Sequence, residues 1–555
     1  MGKGHVTGLD LSWNHLNGTI PSNATLFLLP YLQVLDLRGN YNLKGSFPEA
    51  NWSNPLQILD VYLTSFPGRL PDSIGNLKSL THLDVSYSSF SGRLPDSIGN
   101  LKSLTFLNLR HNKFIGSVLE SIGNLTQLRY LYLSDNNFTG NIPSSLSNLH
   151  HLIDLDLSVN NFIGEIPEIF VNLTQLESLE LSRNQLSGST IKLVNSSFQA
   201  PPNLWKLDLS DNKIHGRIPN WMWDMGKDTL ELINLSHNFL TGSIEQLPIQ
   251  NSLIFLDLRS NLLHGKLPHV LPLGLTALLI SNNQLNGETP HCICNTTSLQ
   301  LLDLSNNNMS GTIPGCMGNI SRNLKVIDLQ NNSFSGTIPD TFAEGNYLET
   351  LNFNNNDLEG PVPRSLVNCT ALQVLDLGNN KINDTFPHWF GILPELQVLV
   401  LRSNKFSGSV RDSKAKNSFS KLRILDLSKN NFSGSLPMEY FGQLEAMMNI
   451  GENAGGELQY MGGDITDYPY RYSIVVTMKG VDIHMDKILT IFTTLDLSSN
   501  KFHGQIPDVI GKLKFLKVLN FSYNDLIGHI PLSFENLTEL ESLDLSSNGL
   551  EGEIL

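Results

Sequence analysis

A chain of 555 residues would ordinarily divide into several domains, yet only 16% of it is charged and its net charge is −15. It lacks the clustered Lys and Arg that neutralise phosphates, which excludes a nucleic-acid surface. Four cysteines are too few to staple this length and match no paired C-x-x-C zinc spacing. The most apolar window, 271–280, falls well short of the roughly 18 to 20 residues that span a bilayer, so neither a signal peptide nor a membrane helix is expected in the chain as written.

The chain opens almost inside a strand, at Val6-Thr7-Gly8-Leu9-Asp10-Leu11. A phrase of the form L-x-x-L-x-L-x-x-N-x-L-x-G-x-I-P then recurs, and it is cleanest from Leu152 to Pro167. Its Asn stands at Asn112, Asn136, Asn160 and Asn184, and the run continues through Asn212 and Asn238 to Asn404 and Asn430 with a modal step of 24. That step and phrase define leucine-rich repeats. In each turn L-x-L predicts a short strand with inward leucines, so parallel strands line one concave face and helix content is low. The Asn amide is expected to satisfy backbone groups at the turn, the Gly to permit φ > 0, and the Ile-Pro to start the outer face extended. Thr64 and Ser88 replace the Asn in two early turns, where a hydroxyl can still bond backbone. The fourteen residues from Gly68 to Thr81 are repeated identically from Gly92 to Thr105, which suggests a tandem copy. A longer step between Asn184 and Asn212, with Asn195-Ser196-Ser197 and Pro201-Pro202 inside it, predicts a small loop.

From Asn430 to Asn500 the step grows to 70 residues. The predicted organisation is therefore about eighteen turns over 1–437, an insert over 438–488, and further repeats over 489–555. The insert opens Gly- and acid-rich from Gly451 to Glu457, then carries Tyr460, Tyr468, Tyr470 and Tyr472 and a predicted strand from Ser473 to Gly480. Such aromatic and β-branched content argues against a disordered spacer.

The G-x-I-P repeat, the Lys479-Gly480 element after a Tyr-rich segment, and the resumption at Phe492-Thr493-Thr494-Leu495-Asp496-Leu497-Ser498-Ser499-Asn500 resemble plant leucine-rich-repeat receptor-like proteins, in particular those conferring resistance to fungal leaf pathogens. The resemblance implies an extracellular N-glycosylated receptor, held in the plasma membrane by a C-terminal helix that this chain lacks. It also implies a secreted protein or peptide ligand, a leucine-rich-repeat co-receptor kinase and an adaptor kinase as partners, and an island insert that contacts ligand. No cofactor and no enzymatic activity are implied. The family's leading signal peptide and cysteine-paired cap do not appear here, and the chain stops mid-phrase at Gly552-Glu553-Ile554-Leu555; a chain truncated at both ends is the expectation.

Candidate residues follow from breaks in the repeat. Cys294 and Cys316 lie 22 residues apart, so they can fall on adjacent turns within disulfide reach. Cys292 shares register with Cys316 and competes; the resemblance favours Cys294 with Cys316. Cys369 is read as a small buried apolar residue. The outward position within L-x-L is usually acidic, as at Asp36, Asp60, Asp84, Asp156, Asp376, Asp426 and Asp496. Because the acids recur with the turn, they are read as solvated, repeat-maintaining residues and not as a calcium site or a catalytic pair. Near the duplicated turns the outward positions become Phe106, Arg110, Arg129, Tyr130 and Tyr132, an aromatic and cationic set of the kind that dominates binding surfaces. Val400 and Arg402, with Tyr468, Tyr470, Tyr472 and Lys479 of the insert, are the remaining ligand-contact candidates. Seventeen N-x-S/T sequons include Asn17, Asn51, Asn124, Asn172, Asn295 and Asn368 as glycosylation candidates. Asn234 and Asn520 fall within inner strands, where a glycan would stand on the concave face. Neither H-E-x-x-H nor a phosphate-cradling Gly-rich loop is present.

The function expected is a ligand-binding ectodomain in pathogen perception that signals through partner kinases. The alternatives are a secreted inhibitor of microbial cell-wall enzymes, a developmental peptide-signalling receptor, and a receptor kinase whose kinase lies outside the chain.

Overall fold

The computed structural model describes residues 5–50, 52, 55–167, 170, 172–189, 201–219, 222, 228–244, 252–320, 322–410, 418–449, 459–461, 470, 472–478 and 480–552. Asn51, Tyr468, Lys479, the Asn195 loop and the Gly451–Glu457 stretch lie outside them. Two compact units divide the chain, Met1–Leu263 and His264–Leu555.

In the first unit three-residue strands follow one another in parallel from Gly8–Asp10 through Val34–Asp36, Ile58–Asp60 and His82–Asp84 to Phe255–Asp257. The register never slips: Leu83 sits opposite Leu107, Leu107 opposite Leu131, and Leu131 opposite Leu155. A one-residue slip would turn every core leucine to solvent, so the repeated leucine is what locks it. The second unit repeats the arrangement from Ala277–Leu279 to Ser542–Asp544. There Ile424–Asp426 pairs directly with Thr494–Asp496, Leu425 opposite Leu495, so the insert leaves the sheet unbroken.

Behind each inner strand the chain turns at the consensus Asn. The Nδ2 of Asn160 donates to the carbonyls of Leu133 (3.0 Å) and Ser158 (3.0 Å), and its Oδ1 accepts from the Phe138 amide at 2.9 Å. One side chain thus joins its own turn to the turn before it. The preceding residue adopts a left-handed conformation, φ 52° at Val159. For a β-branched residue that costs roughly 1–2 kcal/mol, which the buried amide bonds offset. Where the Asn is lost, the hydroxyls of Thr64 and Ser88 both donate to the Val61 carbonyl, at 2.8 and 3.0 Å. The ladder there continues on fewer bonds.

A second set of short parallel strands follows the Asn, as at Lys113–Ser117, Asn137–Gly140 and Asn161–Glu165. Each carries a Gly at positive φ, 82° at Gly164. Phe66, Phe90, Phe114, Phe138 and Phe162 stand in the same place in successive turns and are fully buried. The rings of Phe114 and Phe138 stack 5.9 Å apart, and each buried ring contributes about 1.5–3 kcal/mol. The outer face then runs through Pro into a 3₁₀ segment, as at Asp72–Asn76 and Asp96–Asn100 in the duplicated turns. The α-helices found among the described residues are Met438–Phe441 and Glu445–Met448, four residues each. The parallel solenoid with little helix is thus the fold that the period predicts.

The acidic column departs from expectation. These side chains are buried, not solvated: Asp156 and Asp376 are each 2% exposed. The Asp156 Oδ1 turns back along the strand to accept the Ser158 amide (2.9 Å) and hydroxyl (2.6 Å), and Asp426 does the same with Ser428. The carboxylate caps the end of its strand, which draws it out of water. Burial, reinforced by the acids on neighbouring strands, pushes Asp60 up to about 7. Burial, then neighbouring Asp426, pushes Asp496 up to about 7. Asn234 and Asn520 occupy the same position and accept from Ser236 and Ser522 in the same way.

Candidate ligand-binding surfaces

The insert begins as an outer-face turn. The Ala446 amide donates to the Ser420 carbonyl and the Phe515 amide to the Met447 carbonyl, tying the second short helix, Glu445–Met448, to repeats on either side. The later part is a hairpin, Ile474–Met478 antiparallel to Val481–Met485, turning at Gly480 with φ 75°. Its first strand lies where Ser473 to Gly480 predicts one. The second strand is not predicted, although Val481, Ile483 and Met485 alternate with Asp482 and His484 in the two-residue period of a strand.

This hairpin folds back over the inner strands of the second unit. The Tyr472 hydroxyl donates to Glu349 Oε2 at 3.0 Å, Gln330 Nε2 donates to the Ser473 hydroxyl at 3.3 Å, and the Tyr470 hydroxyl reaches Asp328 at 3.5 Å. Arg402 closes the set. Its guanidinium donates to the Thr477 hydroxyl (3.1 Å) and to Asp482 Oδ2 (2.9 Å), with Asp426 at 3.8 Å. Burial works against the Arg402 charge, but Asp426 and Asp482 outweigh it and hold its pKa above the ordinary value. A buried guanidinium facing two carboxylates and a hydroxyl is a planar multidentate clamp, a geometry that lysine cannot reproduce.

Four sequence candidates are therefore placed differently from expectation. Val400 is fully buried, Arg402 is 2% exposed, and Tyr470 and Tyr472 are buried between hairpin and repeats. Arg402, Tyr470 and Tyr472 join the insert to the repeats instead of facing solvent, and Val400 lies within the sheet opposite Asp376 and Asp426. The exposed part of the hairpin is the unpredicted strand, with Val481 62% exposed.

The first unit holds a different arrangement. Phe106, Tyr130, Tyr132 and Arg110 come together as half-exposed side chains on two neighbouring turns. Phe106 lies 6.0 Å from Tyr130 and 5.8 Å from Tyr132, ring centre to ring centre. Arg110 rests 4.9 Å from the centre of the Tyr132 ring, donates to the Ser134 hydroxyl at 2.7 Å and pairs with Asp156. The Tyr132 hydroxyl donates to Asp154 Oδ2 at 2.9 Å. Burial raises the Tyr132 pKa, so this hydroxyl keeps its proton. Arg129 is exposed immediately before the strand Tyr130–Tyr132. Sequence reasoning missed His82, whose ring stacks on Phe106 at 4.2 Å and 6°. One signal could have found it: His82 occupies the strand position of Phe106 one turn earlier.

Cys294 and Cys316 form a disulfide with 5.7 Å between their Cα atoms. Cys292 is a half-buried free thiol donating to the Pro268 carbonyl at 3.3 Å, and Cys369 is a buried free thiol. Asn17, Asn124, Asn172 and Asn295 are exposed, whereas Asn368 is partly buried and donates to the Phe342 carbonyl at 2.9 Å. Among the described residues no group of three or more His, Cys, Asp or Glu could hold a metal, and no helix is long and apolar enough to cross a membrane.

Repeated parallel inner strands, departed from at an aromatic cluster in the first unit and at a docked insert in the second, define a protein of the leucine-rich-repeat class. Two families described as leucine rich repeat match the chain, one at 122–186, 322–382, 363–406 and 492–550, the other at six single repeats between 79 and 443. Receptor-like protein 7 of Arabidopsis thaliana is 49% identical over 326 residues, 57% of this chain and 33% of the relative, and receptor-like protein 6 of the same plant is 42% identical over 331 residues, 59% and 33%. The chain spans about a third of the length of these curated relatives. Among solved structures, the plant peptide hormone receptor RGFR1 in complex with RGF2 superposes with a TM-score of 0.80 at 32% identity, over 97% of this chain and 78% of that one. The Arabidopsis receptor kinase HAESA ectodomain in complex with an extended IDA peptide hormone gives 0.78 at 29%, over 97% and 82%. The chain belongs to the leucine-rich-repeat family and, within it, to the plant receptor-like ectodomains.

Proposed function

We propose that the chain is the ligand-recognising part of a plant cell-surface receptor-like protein that reads a secreted peptide in hormone-type signalling. The observation that carries this is the half-exposed cluster of Phe106, Arg110, Tyr130 and Tyr132, with Arg129 at its margin, on a face otherwise made of buried acid and Ser caps. Recurrence explains the caps; it does not explain four adjacent large side chains kept half in water. The similarity to peptide-hormone receptors over nearly the whole chain supports hormone-type signalling over the pathogen perception expected from sequence. Residues 438–488 act as an island clamped by Arg402, with Val481–Met485 presented outward. The complete protein works at the extracellular side of the plasma membrane. A co-receptor kinase is its expected partner, as in the solved complex of HAESA with IDA and the co-receptor SERK1, and an adaptor kinase joins it.

The test is a chimera placing this chain before the membrane helix and kinase of a receptor with a measurable output. Response to plant apoplastic peptide fractions, lost on protease treatment, is the result expected. Response only to microbial culture filtrates would replace hormone signalling with pathogen perception. Silence to both, with inhibition of microbial cell-wall hydrolases by the chain itself, would overturn the receptor assignment.

A further inference from the structure

The turn that follows each inner strand forms one flank of the first unit, and its early turns carry a second set of rings. The residue before the consensus Asn is left-handed in every turn, a conformation that disfavours bulky side chains and that Asp135 and Asp211 occupy later in the unit. In the early turns the same place is held by Trp13 (φ 56°), Gly39, Leu63, Tyr87 (φ 48°) and His111. Its amide donates to a carbonyl one turn on, Trp13 to Arg38 and Tyr87 to Arg110, each at 2.9 Å, so these residues stand in line. Adjacent strands lie about 4.8 Å apart, so the row covers about 19 Å.

The rings are seated on the turns and on one another. Trp13 is 51% exposed and its indole packs over Gly39, where a Cβ would stand 2.4 Å from the ring. Gly39 is therefore needed for the indole as well as for its φ of 73°. Tyr41, also exposed, meets Trp13 edge-on at 6.1 Å between ring centres. Tyr62 meets Tyr87 edge-on at 5.8 Å, and Tyr87 stacks on His111 at 4.6 Å.

Charge and hydrogen bonding say what such a surface takes. Trp13, Tyr41, Tyr62 and Tyr87 bring no charge; Arg38 beside them is held by Asp36 at 3.3 Å, and His111 by Asp135. Exposed Lys113 follows His111 at the far end of the row. Among the described residues the Trp13 indole N–H and the hydroxyls of Tyr41, Tyr62 and Tyr87 have no hydrogen-bond partner. Apolar ring faces with unpaired polar tips match a sugar, which presents C–H groups on its faces and hydroxyls around its rim. An apolar protein face would leave the four tips unsatisfied. A straight row also calls for a straight ligand.

We propose that the flank from Trp13 to His111 binds an unbranched, neutral, β-linked polysaccharide, with one sugar stacked on Trp13 and others against Tyr62 and Tyr87. This surface lies outside the inner strands and uses none of the residues assigned above to peptide recognition, so the two readings stand or fall separately.

The test runs the secreted full chain in native gels cast with hydroxyethylcellulose, with dextran or with pectin, followed by calorimetric titration with cellohexaose. Retardation by hydroxyethylcellulose, and not by α-linked dextran or acidic pectin, is the result expected. Trp13→Ala and Tyr87→Ala should each weaken cellohexaose binding about tenfold or more, with thermal unfolding recorded to show that each variant is folded. Tyr87→Phe, which keeps the ring and loses only the hydroxyl, should bind better than Tyr87→Ala. Absence of retardation, a preference for pectin or dextran, or equal binding by wild type and the folded ring variants would overturn the proposal. Binding to N-glycans released from glycoproteins, without binding to cellohexaose, would overturn it too, by assigning the surface to a glycoprotein partner.

Discussion

Asn160 shows how much one side chain carries in a repeat of this kind. It satisfies two carbonyls with separations of 3.0 Å and one amide at 2.9 Å across two turns. Asn160→Ala leaves those buried groups unpaired and should cost about 3 kcal/mol, read as a lower urea midpoint. Asp60 gives the opposite sign. Its folded pKa of about 7 lies above the unfolded value, so the folded chain holds a proton that the unfolded chain has already released. Its contribution is therefore fully present below the ordinary carboxylate range and is lost as pH rises towards about 7. Asp60→Asn keeps the Tyr62 cap in the manner of Asn234; it should raise Tm by a few degrees at about pH 8 and leave it unchanged at about pH 4. Asn234 and Asn520 are committed to the Ser236 and Ser522 caps, so glycopeptide mass spectrometry of secreted chain should find them bare while exposed Asn124, Asn172 and Asn295 carry glycan. The Asn role was legible in sequence because it repeats. The burial of the acids was not, because an Asp that caps its own strand two residues on and an Asp that faces water read identically.

At the scale of elements, the hairpin is a separable piece held by a few polar contacts. Arg402→Ala removes the donors to Thr477 and Asp482. Proteolytic cleavage between Tyr472 and Met485 should then accelerate at least tenfold while the repeats stay protected, and Arg402→Lys should not restore the wild-type rate. Equal cleavage rates in both variants and wild type would show that the apolar contacts of Ile474 and Val476 suffice. The Cys294–Cys316 bond closes a short loop within the second unit, and Cys316→Ser should cost about 3 kcal/mol in denaturant titration. The inner strands were legible from Leu spacing and the insert from loss of the period. Where the insert goes was not: the partners of Tyr472 and Arg402 are 123 and 80 residues away in sequence, at Glu349 and Asp482, and no local pattern encodes a contact at that distance. Arg402 therefore looked like open surface when it is bonded beneath the hairpin.

For the molecule as a whole, the fold supplies inner strands that are uniform by construction in each unit, and function is carried by departures from uniformity. Buried Asp–Ser and Asn caps keep most of the face polar and self-satisfied, which leaves few groups for a partner to pair with. The cluster of Phe106, Tyr130 and Tyr132 differs, because its large rings stay half exposed beside Arg110 and Arg129. Phe106, Tyr130 and Tyr132 could be picked out from sequence as large residues breaking the pattern. His82 could not be joined to them until strand register placed it in line. The most direct measurement is hydrogen–deuterium exchange on the full chain, with and without a saturating peptide purified from an active apoplastic fraction. Protection is expected over Phe106–Asn108 and Tyr130–Tyr132, with His82–Asp84 following and the hairpin unchanged; protection confined to Val481–Met485, with none across those three strands, would contradict it.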